Sequence, residues 1–315
     1  QTKQMELAVT GMLFSQLALG VAINGFIVGT YLLEWRKKRS LRMTDVVLVC
    51  LAVNRFLWQL FHTLGSVFSF VQVVVTITYQ VVYSVCAFLN WSGLWLASVL
   101  SVIHCVKISN YNNWLFINLK RRICWLVQWL LLANLLTSLA FTLALVWFTF
   151  PENPANSTDV SSQTNATVNL LQNIPSPLLV LCLGSLLPFI IFCVAVSLLI
   201  TLIHSLRRHM RQIQCSGEAL QNPHLAAHIR VIKVMLIFLA LYIMYFTSLV
   251  MGSLERYRTK QLPNYYVIVL CLYPSVHSGV LIYSNRRLRK ACVAMCLGSI
   301  HWAKARKPIA QTQNP

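Results

Sequence analysis

The chain has 315 residues, of which 57% are hydrophobic and 10% charged. A soluble domain carries about 25% charged residues, so this composition excludes a soluble enzyme or binding module and describes an integral membrane protein. The net charge of +19 does not mark a nucleic-acid binder, because the basic residues sit in clusters between apolar runs rather than on a soluble face.

The first apolar run, 7–33, is too long for a signal-peptide core and is followed at once by Arg36, Lys37, Lys38 and Arg39. It reads as a first span behind a short external N-terminus, 1–6, with no cleavable signal visible. Further spans read at 44–70, 79–106, 123–150, 175–203, 229–252 and 264–285, each near the length needed to cross a bilayer. This gives an all-α membrane protein: a seven-helix domain over 7–285, a surface helix over 286–300 and a tail over 301–315. Alternate loops and the tail collect 21 of the 26 Lys and Arg residues. Basic residues flank the cytoplasmic ends of spans. The bias therefore predicts an odd number of spans and an external N-terminus; the expected localisation is multi-pass in the plasma membrane.

Span two carries Arg55, the one charge deep in a span. An arginine at the bilayer centre costs from about 2.5 to over 10 kcal/mol, depending on the scale, so it must face inward. Asn24, Asn54, His277 and Ser278 are its polar candidates. Two readings stand: a staple joining spans one, two and seven, or a polar switch whose partners change. Catalysis or ion transport would want carboxylates beside it, and the spans have none at that depth; Asp45 sits at a cytoplasmic end.

Span three carries Asn90 and Trp91, span four Asn134, and span six Tyr242 and Tyr245. Aromatics at helical spacing are commonly packing. A buried amide beside aromatics is also what a small-molecule pocket needs, and the residues alone leave both readings open. The loop 151–173 holds two glycosylation sequons, at Asn156 and Asn165, on the side the charge bias makes external. Most of the ten cysteines lie in apolar runs, where a thiol acts as a small hydrophobe.

Span five continues helically past the membrane. Leu202, Ile203, Leu206, Met210 and Ile213 form a stripe among Arg207, Arg208 and Arg211, and that stripe needs a partner. His204, His209, His224 and His228 near this loop read as solvated rather than as a metal site. No catalytic, cofactor or metal motif is present. Span seven contains Pro274, which predicts a kink. His277 and Ser278 follow within one turn, then the basic run Arg286, Arg287, Arg289 and Lys290. Beyond it, Leu288, Ala291, Cys292, Met295 and Cys296 recur at the spacing of a helix lying on a membrane surface.

Five motifs in order then resemble the type 2, or bitter, taste receptor family. Span two has LAVNR, Leu51–Arg55. The end of span three has LSVIHCVKISNYN, with Leu100, Ser101, Lys107, Ile108 and Asn110. The end of span five keeps Ser205, Leu206 and His209. Before span six stands NPHLAAHIRVIK, with Pro223, Ala227, His228 and Lys233. Span seven keeps Tyr273, Pro274, Ser275, His277, Ser278, Leu281, Ile282, Asn285 and Leu288.

The resemblance implies a G protein-coupled receptor that binds diverse small bitter compounds and activates a gustducin-like heterotrimeric G protein. By the same resemblance Asn90 matches the pocket asparagine, Tyr245 the sixth-span aromatic and Asn165 the glycosylation site. Cys86 stands where many members have a pocket tryptophan, and Val267 where some have a glutamate, which implies a more apolar agonist range. The stripe after span five would meet a G protein helix. In the other reading its arginines hold membrane lipid. A vomeronasal type 1-like receptor is the nearest alternative. A small transporter lacks the expected carboxylates and repeats.

Overall fold

A computed structural model describes residues 2–71, 76–108, 118, 121–150, 176–214, 223–259 and 264–305. Among these residues all regular secondary structure is helical, with no strand. The helices are α1 (Thr2–Lys38), α2 (Met43–Val71), α3 (Thr76–Ile108), α4 (Ile123–Thr149), α5 (Ser176–Gln214), α6 (Pro223–Thr259), α7 (Asn264–Ser284) and α8 (Arg286–Ala305). The predominance of helix follows from the solvent: hydrocarbon offers no partner to a backbone N–H or C=O, so each segment must satisfy its own.

Helices α1 to α6 are each long and apolar enough to cross a membrane. The 21-residue α7 completes a seven-helix bundle, and α8 follows as the final helix. Neighbours in sequence pack as neighbours in space from α1 to α6, although the α3–α4 contact is joined by a further one between α3 and α5. Helix α7 closes the ring, touching α6, α1 and α2.

Lipid and core select different faces of the same helix. On α4, Trp125, Trp129, Leu136, Leu143 and Trp147 are all more than half exposed. Trp125 and Trp147 lie 22 residues apart, about 33 Å along the axis. That distance sets an aromatic ring at each membrane interface, where tryptophan is favoured. The inward side of α4 is polar at its middle, with Asn134, Ser138 and Thr142 buried between Val127 and Leu145.

The interior divides into two clusters. The one nearer the basic end includes Tyr31, Leu51, Leu100, Phe192, Phe238 and Leu288. The other, in the opposite half, includes Trp58, Trp91, Leu145, Tyr242, Tyr245 and Tyr273.

Two prolines lie inside helices, Pro188 in α5 and the expected Pro274 in α7. A mid-helix proline leaves a carbonyl one turn earlier without its usual N–H. Around Pro188, side chains from other helices reach the backbone. Ser98 on α3 donates to the Pro188 carbonyl at 2.7 Å, and the Tyr242 hydroxyl on α6 donates to the Ser185 carbonyl at 2.9 Å.

The α7–α8 corner is built by Asn285. Its Oδ1 accepts from the backbone N–H groups of Arg287 at 3.0 Å and Leu288 at 3.5 Å, capping α8, while its Nδ2 donates to the Tyr31 hydroxyl at 3.0 Å. Helix α1 ends with Arg39 at φ 53, a left-handed residue that turns the chain toward α2.

Candidate functional site

The bundle centre is held by polar side chains that cross between helices. In lipid, apolar burial does little to choose among helix registers, so packing shape and interhelical hydrogen bonds choose. Asn54 Nδ2 on α2 donates to the Leu89 carbonyl on α3 at 2.8 Å. Gly93 permits this approach, since a Cβ there would stand 2.8 Å from Asn54 Nδ2. Asn134 Nδ2 on α4 donates to Ser92 Oγ at 3.2 Å, and Ser138 donates back to Asn134 Oδ1 at 3.2 Å.

Next to Leu89 stands Asn90. Its Oδ1 accepts a short hydrogen bond from the Tyr245 hydroxyl, joining α3 to α6. The Tyr245 ring lies 4.6 Å from that of Tyr273 on α7. Asn90 is half-buried, whereas Tyr242 and Tyr245 are each 1% exposed. Three helices thus meet around one amide with aromatic walls.

The residues predicted near this amide separate by helical rotation. Trp91, one residue on, turns about 100° away. It packs on Phe141 of α4, with ring centroids 5.8 Å apart, and against Gly184 of α5. Tyr242 lies between Phe189 and Phe192 of α5, at 5.1 and 6.1 Å. Cys86, one turn from Asn90 on α3, is a half-buried free thiol. The side chain of Val267 lies outside the described residues.

The second cluster joins α1, α2 and α7. Arg55 Nη1 donates to Ser278 Oγ at 2.9 Å, Ser278 donates to Asn24 Oδ1 at 2.8 Å, and Asn24 Nδ2 donates to the Gly20 carbonyl at 3.0 Å. Of the four polar candidates for Arg55, the structure brings Ser278 and Asn24 into this chain. Asn54 serves α3 instead. His277 stacks on Phe238 of α6, centroid to centroid 3.9 Å and 5° from parallel. Sequence reasoning did not single out Gln59, whose Nε2 donates to Ser275 Oγ at 2.9 Å. Its position four residues after Arg55, on the same helical face, was the available signal.

At the basic end, Arg287 of α8 bridges Glu34 of α1 at 3.0 Å and Asp45 of α2 at 3.3 Å. Asp45 also accepts from Arg42 at 2.9 Å. That hydrogen bond raises the pKa of the Arg42 guanidinium above its ordinary value. The backbone of α5 remains helical to Gln214. The side chains of Leu206, Arg207, Met210, Arg211 and Ile213 lie outside the described residues, as do the sequon residues Asn156 and Asn165.

Comparison with known proteins gives this geometry its context. The family model for Taste receptor protein (TAS2R) matches residues 2–299. Taste receptor type 2 member 41 of Pan troglodytes is 34% identical over 304 residues, covering 90% of this chain and 95% of the relative. Taste receptor type 2 member 9 of Pongo pygmaeus is 31% identical, covering 95% and 96%. Taste receptor type 2 member 46 of Homo sapiens is 29% identical, covering 92% and 93%. With the family match spanning nearly its whole length on an all-helical multi-pass fold, the chain belongs to the type 2 (bitter) taste receptors, chemosensory G protein-coupled receptors rather than enzymes.

Proposed function

We propose that this receptor binds small bitter compounds between α3, α6 and α7, around Asn90 and Tyr245, and activates a gustducin-type heterotrimeric G protein. The observation that carries the pocket is the Asn90–Tyr245 hydrogen bond. It ties α3 to α6 through an amide that is half-buried among aromatic rings, the mix of apolar wall and few polar anchors that small-molecule sites use. A compound that engages Asn90 acts directly on the link between those helices. Cys86 lies one turn along α3, and Val267 completes the apolar surround in this reading, while Trp91 backs the pocket from the α4 and α5 side.

The basic end is cytoplasmic and the N-terminus external, by the distribution of lysine and arginine, and a receptor for external compounds resides in the plasma membrane. The G protein meets the extended end of α5, where Leu206, Met210 and Ile213 supply an apolar stripe and Arg207 and Arg211 a basic rim. The loop carrying Asn156 and Asn165 is external and glycosylated. Glycosidase treatment of protein from mammalian cells should then increase its gel mobility, and no shift at normal surface level would reverse that assignment.

The deciding experiment is calcium release in cells expressing a chimeric gustducin-type G protein, against a panel of bitter compounds. Wild-type receptor should respond. Asn90→Ala should lose roughly threefold to tenfold in potency, the worth of one hydrogen bond of about 0.5–1.5 kcal/mol. Unchanged potency for every agonist at equal surface expression would move the pocket elsewhere.

A further inference from the structure

We propose that Arg55 holds a small monovalent anion, of chloride size, at the junction of α1, α2 and α7. Arg55 is 4% exposed. Its Nη1 is used by Ser278, but its Nη2 is buried with no hydrogen-bond partner. The groups that answer the charge, Ser278 and through it Asn24 and the Gly20 carbonyl, are all neutral. A charge taken out of water needs an opposite charge as well as hydrogen bonds.

The described residues do not supply that charge. The chain's acidic residues stand at positions 6, 34, 45, 152, 159, 218 and 255, and those at 6, 34, 45 and 255 lie near helix ends. Asp45, on the same helix, lies ten residues away, about 15 Å along the axis. It is already held by Arg42 and Arg287. Among the described residues no carboxylate is paired with Arg55.

Two more buried polar atoms close to this cluster are unpartnered, Gln59 Oε1 and His277 Nδ1. Gln59 is one turn along α2 from Arg55, and His277 is adjacent to Ser278 on α7. The Gln59 carboxamide lies in the space a side chain at Gly20 would fill. A carboxamide can turn end for end, so Oε1 can accept from the Ser275 hydroxyl while the NH2 group becomes a donor to an anion. A neutral imidazole can likewise carry its proton on Nδ1. Guanidinium and amide, one turn apart on α2, then supply donors beside a single positive charge, and the imidazole next to Ser278 can add a third. One negative charge balances it, whereas a divalent anion would leave an excess buried in the bilayer.

The test uses purified full-length receptor, with sodium and ionic strength fixed and gluconate exchanged for chloride, bromide or sulfate. Chloride and bromide should raise the thermal midpoint saturably, by about 2–4 °C, and sulfate should not. Gln59→Glu places a carboxylate four residues from Arg55 on the same face. It should abolish the chloride shift while its midpoint in gluconate equals or exceeds that of the wild type. Equal wild-type midpoints in all anions would overturn the proposal, leaving water as the occupant. An equal shift with sulfate, or a full chloride shift in Gln59→Glu, would also overturn it, as a general salt effect. The anion series on the unaltered chain decides the question by itself should Gln59→Glu fail to fold.

Discussion

Replacing Tyr245 by phenylalanine removes one oxygen and leaves the aromatic wall in place. The lost hydroxyl donates to Asn90 Oδ1 from a residue that is 1% exposed, so water does not compete well for the bond. Interhelical hydrogen bonds in membranes average about 0.6 kcal/mol and reach about 1.7. An agonist that donates to Asn90 Oδ1 competes with the tyrosine for that oxygen in the wild type and has it to itself in the variant. Potency of such agonists should therefore rise, by roughly threefold to fifteenfold. Agonists with acceptors only would use the Asn90 NH2 group and should change little. Asn90→Ala should weaken both groups. Concentration–response curves for G protein activation, with surface expression matched, give the comparison. A fall in potency of donor-bearing agonists in Tyr245→Phe would refute the competition argument and make the tyrosine hydroxyl itself a ligand contact.

Two further substitutions test the scaffold. A Cβ at Gly184 would stand 2.6 Å from Trp91 Nε1 and 3.1 Å from Phe141 Cγ. Gly184→Ala should then destabilise the purified receptor by about 1–3 kcal/mol, and adding Trp91→Phe should recover part of the loss; an unchanged thermal midpoint in the single variant would mean that α5 moves freely against α3. Arg287 is 41% exposed while Asp45 is 3% exposed, so Arg287→Ala should cost no more than about 1 kcal/mol and less in high salt. Asp45→Ala, which also strands Arg42, should cost more, and the reverse order of midpoints would show that the bridge from α8 is the dominant one.

The sequence made the architecture legible because lipid imposes a strong and simple rule. Apolar length marks a helix, and 21 of the 26 Lys and Arg residues mark one end of the bundle. The partners within the bundle were less legible. Asn54 and Arg55 are adjacent in sequence and were both offered to the same cluster. A step of 100° per residue sends one to the Leu89 carbonyl on α3 and the other to Ser278 on α7. Asn90 and Trp91 divide in the same way, one meeting Tyr245 and the other Phe141. Depth along the membrane can be estimated from residue count, but the rotation of each helix is chosen by its neighbours.

Those rotations also explain why the ligand reading centres on Asn90 rather than on the more strongly polar Arg55. Arg55 is committed to two helices through Ser278 and Asn24, and an agonist that took over its Nη1 would have to break a chain of hydrogen bonds that already holds α1, α2 and α7. Asn90 is attached to α6 by a single tyrosine, is half-buried, and can both donate and accept. Exchange of one hydrogen bond for another at that point changes little in total energy. It does change which helix α3 is tied to, and a receptor requires such an inexpensive exchange if weak ligands are to shift its state.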